Sequence, residues 1–221
     1  MRAPYQPVDP TIFDQPTEEL AYHLLDLVLV RQADDGVSAG RIVECEMYQG
    51  PDDKGAHSFG GKPTPRTRVM YGPAGRAYVY FIYGMYYCLN VVTQGVGTPH
   101  AILIRALEPL IGTDLMAARL GPIKGKRPLH SLASGPGKLC RAMAIDRQLY
   151  GHPLFLSPLY LVRPEAPWPS YRVARGPRVN IAYAEEAAAY AWRFWVAGHP
   201  SVSRPSGPVA TVEDVPSHIP D

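Results

Sequence analysis

RAYVYFIYGMYYCLNVVT, residues 76–93, is the stretch whose reading decides the fold. Two runs rich in aromatic and β-branched residues meet at one glycine, Gly84. Such runs favour strands, and a glycine between them supplies the backbone freedom of a tight turn. The stretch therefore reads as an antiparallel hairpin with Tyr83-Gly84-Met85-Tyr86 at its tip. Strand alternation then sorts the side chains. Tyr78, Tyr80 and Ile82 share one face, and Ala77, Val79, Phe81 and Tyr83 the other. On the return strand Tyr86, Cys88, Asn90 and Val92 lie together. Five tyrosines fall within residues 78–87. Each brings a flat face and a polar handle, and a core has more use for the first than the second. Tyrosine and methionine at a turn are also unusual for a plain surface. They suit a wedge driven between DNA base steps, with aromatic walls for a base taken out of the stack. The plain alternative is an aromatic hairpin packed on a neighbour.

Outward from the hairpin, GRIVECEMY (40–48) reads as a strand closed by Gly50-Pro51. Alternation puts Val43, Cys45 and Met47 on an apolar face, and Glu44, Glu46 and Tyr48 on the other. Two carboxylates do not suit a buried core face. That face is expected to be solvated or to line a cleft, with a surface salt bridge as the plain alternative. HAILIRAL (100–107) reads as a third strand, with Leu103, Arg105 and Leu107 on one face. A buried Asn or Arg needs partners. Glu46, Asn90 and Arg105 are thus candidates to converge on one polar pocket, roofed by Tyr48 and Tyr80. His57 lies close by in sequence, and an acid among aromatics suits proton transfer.

The remaining chain supplies helices and further strands. Thr17 is expected to cap a helix with Leu20, Leu24, Leu27 and Val28 on its apolar face. Residues 111–120 and 135–145 read as helices, and YLVR and RFWVAG as strands. SGPGKLC presents helix N–H groups near Lys138, a candidate phosphate contact. The mixture predicts an α+β fold: one domain over residues 1–203, with a curved, mostly antiparallel sheet, a protruding hairpin and surrounding helices. Residues 204–221 carry four prolines and are expected to form a flexible C-terminal tail.

Composition narrows the classes. The 221 residues, 46% of them hydrophobic, suffice for a substantial core. Three scattered cysteines, with no CxxC, argue against a disulfide framework or a zinc site and suit a reducing compartment. The signature of a zinc base deaminase, HxE with PCxxC, is missing. No metal or cofactor is expected. The N-terminus lacks an apolar signal core, and no apolar run reaches the roughly 20 residues of a membrane helix. A cytoplasmic protein is expected, nucleoid-associated if bacterial. The net charge is only +2, but it is segregated. Residues 54–107 hold six Lys and Arg and no acid, and residues 115–145 hold another six and no acid. Such segregation favours an anionic partner, nucleic acid first.

RIVECEMYQGPDDKGAHSFGG, TPRTRVMYGPAGRAYVYFIYGMYYCLNVV, ILIRALEPL and SGPGKLCRAMAI together resemble the alkyladenine (3-methyladenine) DNA glycosylases of the mammalian-type family, which has many bacterial members. The likeness runs from about residue 16 to 203. It implies a monomeric, monofunctional N-glycosylase that flips damaged purines out of double-stranded DNA and leaves an abasic site. By resemblance, Glu46 is the base that activates water. Arg105 lies near that water, and the Val179 backbone in RGPRVNIAY helps hold it. Tyr48 flanks the flipped base on one side, His57 and Tyr80 on the other, and Asn90 disfavours guanine. Tyr83 intercalates at the hairpin tip, and Lys138 resembles a phosphate contact. Met85, beside the wedge, and Arg66 and Arg68, in the basic loop, are further candidates for DNA contact. A non-catalytic binder of damaged or bent DNA is the alternative.

Overall fold

The structure is a computed structural model, and it describes residues 6–123, 125, 127–204 and 208–216. Its elements in chain order are α1 (Thr17–Leu24), β1 (Val28–Ala33), β2 (Gly36–Gln49), β3 (Ala77–Ile82), β4 (Tyr86–Thr93), β5 (His100–Ile111), α2 (Thr113–Leu120), α3 (Pro136–Ala142), β6 (Phe155–Leu156), β7 (Leu159–Val162), β8 (Ser170–Gly176), β9 (Arg193–Val196) and β10 (Thr211–Pro216). The fold is α+β, as expected: one large antiparallel sheet with helices packed on it. Among the described residues no helix is long and apolar enough to cross a membrane.

The spine of the sheet is β2. Along one edge it pairs with β5 from Ala39 to Gln49. Its other edge is divided between β1, which pairs with residues 36–41, and β9, which pairs with residues 44–46. Beyond β5 come β4 and then β3, which close the predicted hairpin with Tyr78 opposite Asn90 and Tyr80 opposite Cys88. The main core joins Leu20, Leu24, Met47, Ile104, Leu139 and Phe194, residues from α1, β2, β5, α3 and β9.

Three expectations are corrected. Thr17 is the first helical residue and not the cap, and its hydroxyl is buried against Thr93 at 2.9 Å. The helix ends at Leu24, because Asp26 takes a left-handed backbone (φ 76°) and Val28 already opens β1. Strict alternation along β2 fails as well. Register shifts flank Glu44, with Val43 extra on β2 and Arg105 extra on β5. A bulge reverses which face the following residues take. Ile42, Cys45 and Met47 therefore share the main core, while Val43 packs separately with Ala106 and Val196. On β5, Leu107 joins the core and Arg105 turns to the polar side. At the sheet's edge Thr211–Pro216 pairs with β8.

Candidate active site

The pleat of the hairpin builds the site. Ala77 and Val79 face the core, so Tyr78, Tyr80 and Ile82 face a cleft of about 330 Å³. Tyr86, Cys88 and Asn90 line it from β4, and Leu103 and Arg105 from β5. Tyr48, His57, Val179 and Tyr183 complete the wall from segments far apart in sequence.

Glu46 lies immediately behind this wall and is fully buried. The Val179 N–H donates to its Oε1 at 2.7 Å. The Tyr48 hydroxyl and Arg105 Nη1 donate to its Oε2 at 2.9 and 3.3 Å. All three donors belong to cleft-lining residues, and charge-assisted bonds of this kind suit a carboxylate. Burial, reinforced by Glu46, pushes the Tyr48 phenol well above its ordinary pKa, so it stays a donor.

Glu44 is not at the surface. It is fully buried and is bound by Arg105 Nε at 2.7 Å, Arg193 Nε at 2.8 Å and the Ser203 N–H at 2.6 Å. Burial works against the charge on Arg105, but Glu46 and Glu44 outweigh it and raise its pKa. Two carboxylates thus face two guanidiniums in one buried network. This is how the sheet tolerates charges that an apolar surround would exclude.

The aromatic residues form two groups. His57, Tyr78 and Tyr80 make one cluster, with His57 4.6 Å from Tyr80 and Tyr78 5.2 Å from Tyr80 between ring centroids. The Arg66 guanidinium lies 4.8 Å over the Tyr80 ring and 3.3 Å from His57 Nε2. A guanidinium only donates, so Nε2 accepts and Nδ1–H donates to the Tyr78 oxygen at 2.8 Å. One side of His57 is exposed, yet burial of the rest and the Arg66 charge lower its pKa to about 4. It is therefore neutral at pH 7. Tyr48 forms the other surface. Its ring packs 4.5 Å from the Arg178 guanidinium, which Asp53 grips bidentately at 2.5 and 2.7 Å.

Asn90 is buried and donates from Nδ2 to the Tyr78 carbonyl at 3.0 Å, which fixes its amide in the cleft wall. At the hairpin tip Tyr83 and Met85 are 69% and 65% exposed. Arg66 and Arg68 are exposed on the basic loop. Lys138 is half-buried near the start of α3, and burial followed by Arg127 lowers its pKa. Not all of the segregated basic charge is available to a partner. Lys54 pairs with Glu185 and Glu186, Arg119 with Asp35, and Arg105 with the buried glutamates. Lys124 and Lys126 lie outside the described residues.

Glu46, Tyr48, Arg105 and Val179 are in direct contact, and His57 with Tyr80 and Asn90 with Tyr78 line the same cleft. Sequence reasoning missed Asp53, Arg178, Arg193 and Ser203. A signal existed for two of them, since Arg178 stands beside Val179 in the quoted RGPRVNIAY. Asp53 likewise lies inside the quoted RIVECEMYQGPDDKGAHSFGG, whereas for Arg193 and Ser203 local sequence carries none.

Comparison with known proteins adds a second line. Residues 11–200 match the family model of methylpurine-DNA glycosylase. Proteins of two Bacillus cereus strains are 48% and 49% identical to the chain over 200 residues, and one of Bacillus anthracis is 48% identical. Each alignment covers 88% of this chain and 98% of the relative, and each relative is provisionally named a 3-methyladenine DNA glycosylase.

Proposed function

Because the chain belongs to the methylpurine-DNA glycosylase family, a DNA glycosylase of the 3-methyladenine type, we propose that it flips alkylated or deaminated purines out of duplex DNA and hydrolyses their glycosidic bond with water activated by Glu46. One observation carries this reading: a fully buried carboxylate, held by a backbone N–H, a phenol and a guanidinium, directly behind an aromatic cleft.

The flipped base enters the cleft and rests against Tyr48 on one side and Tyr80 with His57 on the other. Asn90 limits which purine edge fits. Tyr83, with Met85, fills the gap left in the stack. Glu46 accepts a proton from water while the water oxygen bonds to C1′. The C1′–N bond breaks, and its electron pair leaves with the base. The carboxylate also stabilises positive charge on the sugar. A cationic base such as 3-methyladenine leaves as a neutral molecule. A neutral base such as hypoxanthine or 1,N6-ethenoadenine needs a proton as well. General-base assistance of this kind contributes about 10²–10⁴ in rate.

Among the described residues lining the cleft there is no lysine to form a Schiff base, which supports a monofunctional hydrolase. The test uses duplexes holding one hypoxanthine or one 1,N6-ethenoadenine, together with methylated DNA. Released base is measured directly, and abasic sites by alkaline cleavage. Base release, with no strand break until alkali and no borohydride-trapped adduct, is the expected result. Tight binding without release from any substrate would leave a non-catalytic binder of damaged DNA.

A further inference from the structure

We propose that a second groove, on the flank of the hairpin, grips the phosphate backbone of the duplex beside the lesion. The inference rests on DNA being the partner, but not on which base is removed. The groove, of about 680 Å³, is lined by Arg66, Arg68, Phe81, Arg147, Gln148 and Tyr150. Its floor is β3 seen from the side away from the cleft, where Val79 and Phe81 lie, and Tyr80 borders both spaces.

The two walls are fixed to each other. The Tyr150 hydroxyl accepts from the Val69 N–H at 3.1 Å and donates to the Arg66 carbonyl at 3.1 Å. The loop carrying Arg66 and Arg68 is thereby tied to the turn carrying Arg147. Asp146, the nearest acid in sequence, caps that turn by accepting from the Gln148 N–H at 2.8 Å. Among the described residues no carboxylate lies within ion-pair distance of Arg66, Arg68 or Arg147, and none lines the groove.

Three guanidiniums without counter-ions line an open trough. Their planar forks match phosphate oxygens. Phe81 is 51% exposed and leans on Tyr87, giving an apolar ledge of the kind that sits against sugar. A charged polymer running through suits this shape, and the shared Tyr80 wall places it next to the base-binding cleft.

The test is the salt dependence of duplex binding by anisotropy, for wild type, Arg147→Gln, Arg147→Glu and an exposed control, Arg163→Gln. Loss of one phosphate contact reduces the slope of log K against log salt by about 0.9. Arg147→Gln is expected to show that reduction with weaker binding, Arg147→Glu a larger one, and Arg163→Gln neither. Wild-type slopes in both Arg147 variants, or equal losses in Arg163→Gln, would overturn the proposal. Base release measured on the same samples reports separately on the glycosylase reading.

Discussion

Tyr83 holds a left-handed backbone, φ 54°, while 69% of it faces solvent. For a residue with a side chain that conformation costs about 1–2 kcal/mol, and here little packing offsets it. Tyr83→Gly should therefore leave thermal stability equal or higher, yet lower base release from duplex DNA. A drop in melting temperature would mark Tyr83 as a packing residue instead. His57 gives a pH prediction. Its folded pKa, about 4, lies below the ordinary value of 6.5. The unfolded chain therefore takes up the proton first, and stability is lost as pH falls from about 6.5 towards 4. Thermal melts of wild type and His57→Gln should diverge in that window and run parallel above it. Identical pH profiles would contradict the half-covered, neutral imidazole. At this scale the sequence was informative wherever one residue type in one pattern carried the meaning: the aromatic tip around Gly84, or an acid beside Tyr48. It misled about Glu44, because no local pattern announces that Arg105, Arg193 and Ser203 arrive to neutralise it.

Among the elements, β2 and the segment at 178–179 matter most. Asp53 and Arg178 form a fully buried, bidentate pair that supports Tyr48 through the Arg178 guanidinium. The same arginine adjoins Val179, whose N–H meets Glu46. Asp53→Ala would leave a buried cation unpaired, a loss of about 3–5 kcal/mol in urea unfolding. A change under about 1 kcal/mol would mean that the pair is not buried as described. Gly137, near the start of α3, touches the hairpin. A Cβ there would sit 2.8 Å from Tyr86 Cγ, so Gly137→Ala must push the Tyr86 side chain of the hairpin aside. The expected result is weaker binding of lesion DNA by Gly137→Ala, measured by anisotropy, with unchanged affinity as the contrary outcome. Strands were legible from their composition. The compensating bulges at Val43 and Arg105 were not, since they depend on how two strands meet and not on either alone.

On the scale of the molecule, the buried network gathers β2, β5, β9 and Ser203, drawing together residues up to 159 positions apart. Pairings of that range set the shape of the cleft and cannot be read from periodicity. The resemblance supplied what periodicity lacked, because family motifs carry long-range geometry implicitly. The α+β class itself followed from local patterns alone. The most direct measurement of the central claim is single-turnover base release by wild type and Glu46→Gln, with DNA binding measured on both. The expected result is retained binding by Glu46→Gln with release slowed by about 10²-fold or more. Release at the wild-type rate by Glu46→Gln would contradict Glu46 as the base that activates water.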